Sequence, residues 1–154
     1  MAKILVVDDE TDLEVLIKQK FRQKIRENKY EFVFAINGKH ALEQLALHED
    51  VDVILSDINM PEMDGLTLLT KLSEQNSLLK SVIVSAYGDM ENLRTAMNRG
   101  AFDFITKPVN FEDLELTMEK TLKHVRQMRE TMAAIKENNL LKMYVDEKEL
   151  KFMG

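Results

Sequence analysis

Five side chains that could do chemistry stand at the ends of short apolar runs in the sequence. They are three carboxylates, one hydroxyl and one ammonium, belonging to Asp8, Asp9, Asp57, Ser85 and Lys107. Short apolar runs of this kind are typical of strands that are buried on both faces of a sheet. Ligands bind beyond the carboxyl ends of parallel strands, so we expect all five side chains to lie at one site.

The three carboxylates of this set indicate a bound cation. Clustered carboxylates repel one another, so one of them is protonated unless a cation is present. An incomplete set of oxygen ligands suits Mg²⁺, which keeps several waters and shares phosphate oxygens. A carboxylate beside such a cation can attack phosphorus and form an aspartyl phosphate. The ammonium of Lys107 and the hydroxyl of Ser85 would then face the phosphoryl oxygens.

The site must be positioned by an alternation of strands and helices along the chain. The predicted strands are residues 4–7, 32–36, 51–55, 81–85 and 102–106. Each is followed by residues whose apolar positions recur with a helical period. Five strands alternating with five helices predict an α/β fold, a doubly wound five-stranded parallel sheet with right-handed crossovers.

Individual residues indicate where the helices begin and end. Thr11, with Glu14 three residues later, fits a capping box at the start of the first helix. Gly100 stands where a residue in the left-handed conformation would end the fourth helix. Asn110 can accept hydrogen bonds at the start of the last helix.

Four segments carry a resemblance to a known family. They are residues 4–10, 57–65, 82–87 and 101–108. Their order and spacing are similar to those of the receiver domains of two-component response regulators, over residues 3–122. The resemblance implies the flavodoxin-like strand order 2-1-3-4-5, which receiver proteins exemplify.

The resemblance also implies a role for each residue of the acidic site. Asp57 would accept a phosphoryl group, Asp9 would bind Mg²⁺ directly, and Asp8 would bind it mainly through water. The backbone carbonyl of Asn59 would be a further ligand of the metal. Mn²⁺ is expected to substitute for Mg²⁺ with this set of ligands.

Further residues are implied around the phosphoryl group. Lys107 and the backbone amides of Ile58 and Ala86 would face its oxygens, and Ser85 would be the switch hydroxyl. Phe104 occupies the switch aromatic position, where many relatives carry tyrosine. Phenylalanine has no phenol hydroxyl, so the reorientation of this ring would depend on packing alone.

Two more positions are implied to tune how long the phosphoryl group survives, namely Asn59 and Tyr87. The implied phosphodonor is a phosphohistidine on a sensor histidine kinase or phosphotransfer protein. Phosphorylation would favour one of two states and change the face formed by the fourth helix, fifth strand and fifth helix, which would control a downstream effector or partner. Such a domain is no enzyme beyond its own phosphorylation and dephosphorylation.

A helical pattern continues beyond the resemblance and divides the chain into a receiver domain, 1–122, and a helical extension or linker, 123–154. Residues alternately three and four apart form a heptad seam: Leu114, Met118, Thr121, Val125, Met128, Met132, Ile135 and Asn139. Sustained heptads predict a coiled coil, here a parallel homodimer, and Asn139 would specify its register. The alternative is an amphipathic helix packed on its own domain. The extension could lead to an output domain that these residues do not include.

Two other functions remain open from the residues alone. One is a stand-alone adaptor or phosphorelay shuttle. The other is a dehalogenase-type phosphatase, which is disfavoured because Asn59 stands where such enzymes carry a second aspartate and because Asp57 ends the third strand. Composition excludes or disfavours further classes of protein. The net charge of −6 disfavours nucleic-acid binding. The short apolar runs exclude a membrane span, and the absence of cysteine favours a cytoplasmic location.

Overall fold

The computed structural model describes residues 1–75 and 78–153. These residues form a five-stranded parallel sheet in the order β2-β1-β3-β4-β5, which confirms the predicted topology. The strands are β1 Ala2–Val7, β2 Tyr30–Ala35, β3 Val53–Asp57, β4 Lys80–Ser85 and β5 Asp103–Thr106.

Six helical segments connect and follow the strands within the described residues. They are α1 Asp12–Lys20, α2 Arg22–Arg26, α3 Gly38–Leu47, α4 Gly65–Glu74, α5 Met90–Asn98 and α6 Phe111–Met153. The first predicted helix is divided at Phe21, where φ is −102° and ψ is 16°. The ring of Phe21 is buried against Tyr30 and Phe32 of the edge strand. Segments α3 to α6 therefore correspond to the second to fifth predicted helices.

The structure confirms two of the three predicted helix boundary residues. The Asn110 side chain accepts hydrogen bonds from the backbone N–H groups of Glu112 and Asp113, at 2.9 and 3.2 Å, so it caps α6 as expected. Gly100 has a φ of +103°, as a residue that ends a helix in the left-handed region should. The capping box at Thr11 was wrong. Its backbone is in the αR region rather than extended, and its side chain makes no capping hydrogen bond.

Helices cover both faces of the sheet and enclose two core layers. One layer packs α1 and α6 against the strands through residues such as Ile17 and Met118. The other packs α3, α4 and α5 against the opposite face through residues such as Ala41, Leu68 and Ala96. The strands are thus buried on both sides, which is why their sequences are continuously apolar.

The strand register brings the carboxyl ends of the sheet together. Val7 pairs with Ser56 across β1 and β3, so Asp8 and Asp57 end neighbouring strands at the same level. Asp57 pairs with Val84, one residue before Ser85. This register is what carries the predicted chemical residues to one edge.

The first turns of α6 pack against their own domain, which corrects part of the predicted dimer seam. Leu114, Met118, Thr121 and Val125 are fully buried in the core beneath the helix. The Thr121 hydroxyl donates to the carbonyl of Thr117 at 2.6 Å, so a polar residue is tolerated there. Met118 and Val125 are therefore unavailable to a second chain, and the packed alternative holds as far as Val125.

The rest of α6 projects beyond the sheet. Met128 is half-buried, whereas Met132 and Ile135 are about half-exposed, at 52% and 48%, and Asn139 is exposed. A helix of 43 residues is about 64 Å long, which is far more than the sheet can cover. Within the described residues, no helix is both long and apolar enough to cross a lipid bilayer.

Candidate functional site

Three carboxylates converge at the carboxyl edge of the sheet, as predicted. One oxygen each from Asp8, Asp9 and Asp57 lies within 4.8 Å of the other two. Asp8 and Asp57 are buried, each 8% exposed, while Asp9 is exposed to solvent. Among the described residues, this is the one group of three acidic or metal-ligating side chains so arranged.

Lys107 brings a single ammonium to these carboxylates from the end of β5. Its Nζ donates to Asp57 Oδ2 at 2.9 Å and lies 3.7 Å from Asp8 Oδ2. Its backbone N–H donates to the carbonyl of Ser85 at 2.8 Å, which fixes the start of the loop after β5. The peptide bond from Lys107 to Pro108 is cis.

The pKa of the Lys107 ammonium reflects the charges around it. Burial acts to lower this pKa, but the hydrogen bond and charge of Asp57 outweigh burial, and the charges of Asp8 and Glu10 add to them. The pKa is therefore raised above its ordinary value, and the side chain stays charged at neutral pH. One positive charge faces three carboxylates, so the site keeps an excess of negative charge.

The pKa of the Asp8 carboxyl also reflects its surroundings. Burial raises the pKa of its carboxyl above the ordinary value. The N–H of Glu10, which donates to Asp8 Oδ1 at 2.8 Å, and the charge of Lys107 oppose this rise. The charges of Asp57 and Asp9 reinforce it. A hard divalent cation would favour the ionised form of this buried carboxyl, because it would offset the repulsion from the two neighbouring carboxylates.

The backbone around Asp57 is closely packed. Asp57 Oδ1 accepts a hydrogen bond from the N–H of Ile58 at 2.7 Å. The N–H of Gly65 donates to the Ile58 carbonyl at 2.8 Å and closes the loop after β3. A Cβ at Gly65 would lie 2.1 Å from the carbonyl oxygen of Asp57, so only glycine allows this approach. The close approach of Gly65 to Asp57 is not visible in the sequence, because only the folded loop brings the two residues together.

The predicted switch residues lie on the two strands beside the acidic site. Ser85 is buried at the end of β4, and its hydroxyl donates to the Ala86 carbonyl at 3.3 Å. Phe104, on edge strand β5, is 41% exposed, so its ring is not in the core. Tyr87 is 88% exposed in the loop after β4. Asn59 is exposed in the loop that follows Asp57.

The acidic cluster on a 2-1-3-4-5 sheet agrees with the comparison with known families. The family model of the response regulator receiver domain matches residues 4–119. The chain belongs to the response regulator receiver domain family. The match ends inside α6, so the receiver domain and the projecting helix share one continuous element.

Individual receiver proteins are similar in sequence and in structure. Transcriptional regulatory protein ZraR of Escherichia coli K12 is 33% identical over 125 residues, covering 81% of this chain and 27% of ZraR. The receiver domain of Francisella response regulator 1452 is 34% identical with a TM-score of 0.69, covering 80% of this chain and 98% of that one. NtrX of Brucella abortus is 32% identical with a TM-score of 0.74, covering 85% of this chain and 29% of NtrX.

These coverages locate the similarity in the receiver region. The chain spans about a quarter of the length of ZraR. By contrast, it spans nearly all of the isolated Francisella receiver domain. The similarity is therefore confined to the receiver region and covers less than a third of ZraR and of NtrX.

Proposed function

We propose that this receiver domain takes a phosphoryl group on Asp57 from a phosphohistidine of a sensor histidine kinase or phosphotransfer protein. The observation that best supports this is the environment of Asp57, with two further carboxylates within 4.8 Å and the Lys107 ammonium at 2.9 Å. Asp8 shares these neighbours, but Lys107 Nζ lies 3.7 Å from it, whereas Asp57 accepts a hydrogen bond from this ammonium at 2.9 Å.

The transfer is a displacement at phosphorus. A carboxylate oxygen of Asp57 forms a bond to phosphorus while the bond from phosphorus to the donor histidine nitrogen breaks, and that nitrogen keeps the electron pair. Lys107 stabilises negative charge on the phosphoryl oxygens, and the backbone N–H of Ala86 and the hydroxyl of Ser85 would turn toward them. The N–H of Ile58 already donates to Asp57 and is oriented toward the reacting group.

The acidic cluster would hold Mg²⁺. Asp8, Asp9 and Asp57 supply carboxylate oxygens, and the carbonyl of Asn59 is the fourth proposed ligand. Bound Mg²⁺ would neutralise charge on the carboxylates and on the transferring phosphoryl group. Substitution by Mn²⁺ stays a prediction from the type of ligand.

The phosphorylated domain would act as a two-state switch. Ser85 would move toward the phosphoryl group and the half-exposed Phe104 would turn inward, changing the face formed by α5, β5 and α6. Phosphorylation can shift this equilibrium only by its differential interaction with the two states. Since Phe104 lacks a hydroxyl, the inward state would be stabilised by ring packing.

The projecting part of α6 would connect the switch to an output or to a second chain. A stripe from the predicted seam remains on it beyond the domain, formed by the apolar side chains of Met128, Met132 and Ile135 and by the polar Asn139. We propose that a parallel homodimer uses this stripe, with Met143 one turn beyond Asn139. Because ZraR is a transcriptional regulatory protein, control of an output domain outside these residues is the favoured role.

Phosphorylation by acetyl phosphate in Mg²⁺ tests this assignment. Asp57→Asn should abolish incorporation, since an amide is a poor nucleophile, while the exposed Asp113→Asn on α6 should incorporate as the parent does. Full stoichiometric labelling of Asp57→Asn would contradict the assignment. We also expect no multiple turnover of a phosphomonoester, because Asn59 offers no acid or base beside Asp57.

A further inference from the structure

A groove on the edge of the sheet lies between α1–α2 and strand β2. It encloses about 640 Å³ and shares no residue with the acidic cluster. Its floor is formed by the half-buried side chains of Ile25, Phe32 and Phe34. Because β2 is an edge strand, this side of the sheet has no further strand to cover it.

The rim of the groove is basic, although the whole chain has a net charge of −6. Arg22 and Arg26 lie four residues apart on α2, both are exposed, and neither makes an ion pair with another described residue. Lys18 also lines the groove and pairs with Glu14 at 2.9 Å. The one acidic residue on the rim, Glu31, lies 3.7 Å from the Lys3 ammonium. Two guanidinium groups thus remain for a ligand.

The aromatic rings of the floor already contact other side chains. Phe32 and Phe34 stack on each other with centroids 6.3 Å apart and planes 26° apart. The ring centroid of Phe21 lies 5.7 Å from that of Phe32, and Lys18 Nζ lies 5.1 Å from the Phe34 centroid. Nucleic-acid bases bind by stacking on free ring faces, and the Lys18 ammonium already lies over the ring of Phe34. A bulky apolar side chain needs only the enclosed apolar surface.

We propose that this groove docks an acidic segment of a partner protein. The segment would place one large apolar side chain on Ile25, Phe32 and Phe34 and its carboxylates on Arg22 and Arg26. Planar guanidinium groups pair well with carboxylates, and an apolar anchor surrounded by charges is a common basis of recognition. Docking here leaves Asp57 open, so a bound partner and a phosphodonor can act on the same domain.

Fluorescence anisotropy with a labelled synthetic peptide tests the proposal on the whole chain. The probe is a short peptide of aspartate and glutamate with two phenylalanines, and a matched probe replaces those phenylalanines with serine. The double variant Arg22→Glu, Arg26→Glu should bind the phenylalanine probe roughly tenfold more weakly than the parent. The matched double variant Lys71→Glu, Lys123→Glu changes the charge equally at exposed sites and should bind as the parent does.

Several outcomes would overturn the proposal. They are equal weakening in both double variants, equal affinity for the serine probe, and no binding of the phenylalanine probe. Tighter binding to a single-stranded oligodeoxynucleotide or to vesicles of phosphatidylserine would assign the groove to another class of ligand. Amide shifts in an NMR titration should fall on α2 and β2, and shifts confined to the acidic site would also contradict it.

Discussion

Arg129 of α6 forms an ion pair with Asp52, the residue directly before strand β3. The other oxygen of this carboxylate accepts the backbone N–H of Lys3 at 2.9 Å, and the Asp52 side chain is only 11% exposed. The strand that ends at Asp57 thus begins beside a residue that anchors α6. The helix is held at the edge of the sheet opposite the acidic cluster, at the point where it leaves the domain.

Loss of this ion pair should weaken the fold. Arg129→Ala leaves a largely buried carboxylate without its charged partner, and we expect a loss of about 1–2 kcal/mol in the free energy of unfolding. Urea denaturation measures it. Lys142→Ala, on the exposed part of the same helix, is the control and should change stability by no more than about 0.5 kcal/mol. Equal stabilities of the two variants would show that the ion pair is energetically unimportant.

A methyl group at Gly65 should disturb the phosphoacceptor loop. Gly65→Ala places a Cβ against the backbone of Asp57 and Ile58, so the backbone at the end of β3 must shift to accept it. We expect a destabilisation of about 2 kcal/mol or more. Labelling by acetyl phosphate should fall as well. The control is Thr67→Ala, at an exposed position in the same helix, and it should keep the stability and the labelling of the parent. Normal labelling of Gly65→Ala would mean that the loop can adjust to the added methyl group.

The stability of the metal-free protein should depend on pH through Asp8. Its pKa is raised in the folded state, chiefly by burial, so its contribution to stability is present below the unfolded pKa of about 3.9 and is lost as pH rises through the folded pKa. Asp8→Asn removes this titration. We expect denaturation midpoints in EDTA to fall less with rising pH in Asp8→Asn than in the parent. Asp113→Asn, at an exposed site, should follow the parent, and identical profiles for all three proteins would contradict the burial effect.

Added Mg²⁺ should stabilise the folded protein, because it would offset the repulsion among the three carboxylates. A ligand that binds only the folded state stabilises it in proportion to the logarithm of its concentration. We therefore expect the thermal midpoint of the parent to rise with added Mg²⁺ and that of Asp9→Asn to rise much less. Asp12→Asn, in the first turn of α1, should respond as the parent does. A thermal midpoint of the parent that does not change with added Mg²⁺ at neutral pH would argue against the metal site.

Self-association should depend on the projecting stripe of α6. Met132→Asp with Ile135→Asp places charges in the proposed helix interface and should give monomers in sedimentation experiments. Leu116→Asp changes a residue that is 70% exposed on the domain-packed part of α6, and it should leave association unchanged. The measurement is made with and without beryllofluoride as a phosphoryl mimic. A parent chain that stays monomeric at high micromolar concentration in both states would exclude the dimer.

Much of the site could be predicted because its positioning is local in the sequence. Asp8, Asp57 and Lys107 each follow a short apolar strand, and a parallel sheet carries such positions to one edge without further information. The capping residue Asn110 likewise acts only on the next two or three amides of the chain. Thr11 failed as a cap because its own backbone entered the helix, which composition does not reveal.

The sequence by itself determined the strand order through its family resemblance, the residues of the acidic site and the presence of a long last helix. Only the tertiary structure decided which part of that helix is free. Spacing of three and four residues is the same for a face packed on a core and for a coiled-coil seam, so Val125 and Ile135 look alike in sequence. The difference in burial between Val125 and Ile135 depends on how far the helix stays on the sheet. Contacts such as that of Asp52 with Arg129, 77 residues apart, set this point.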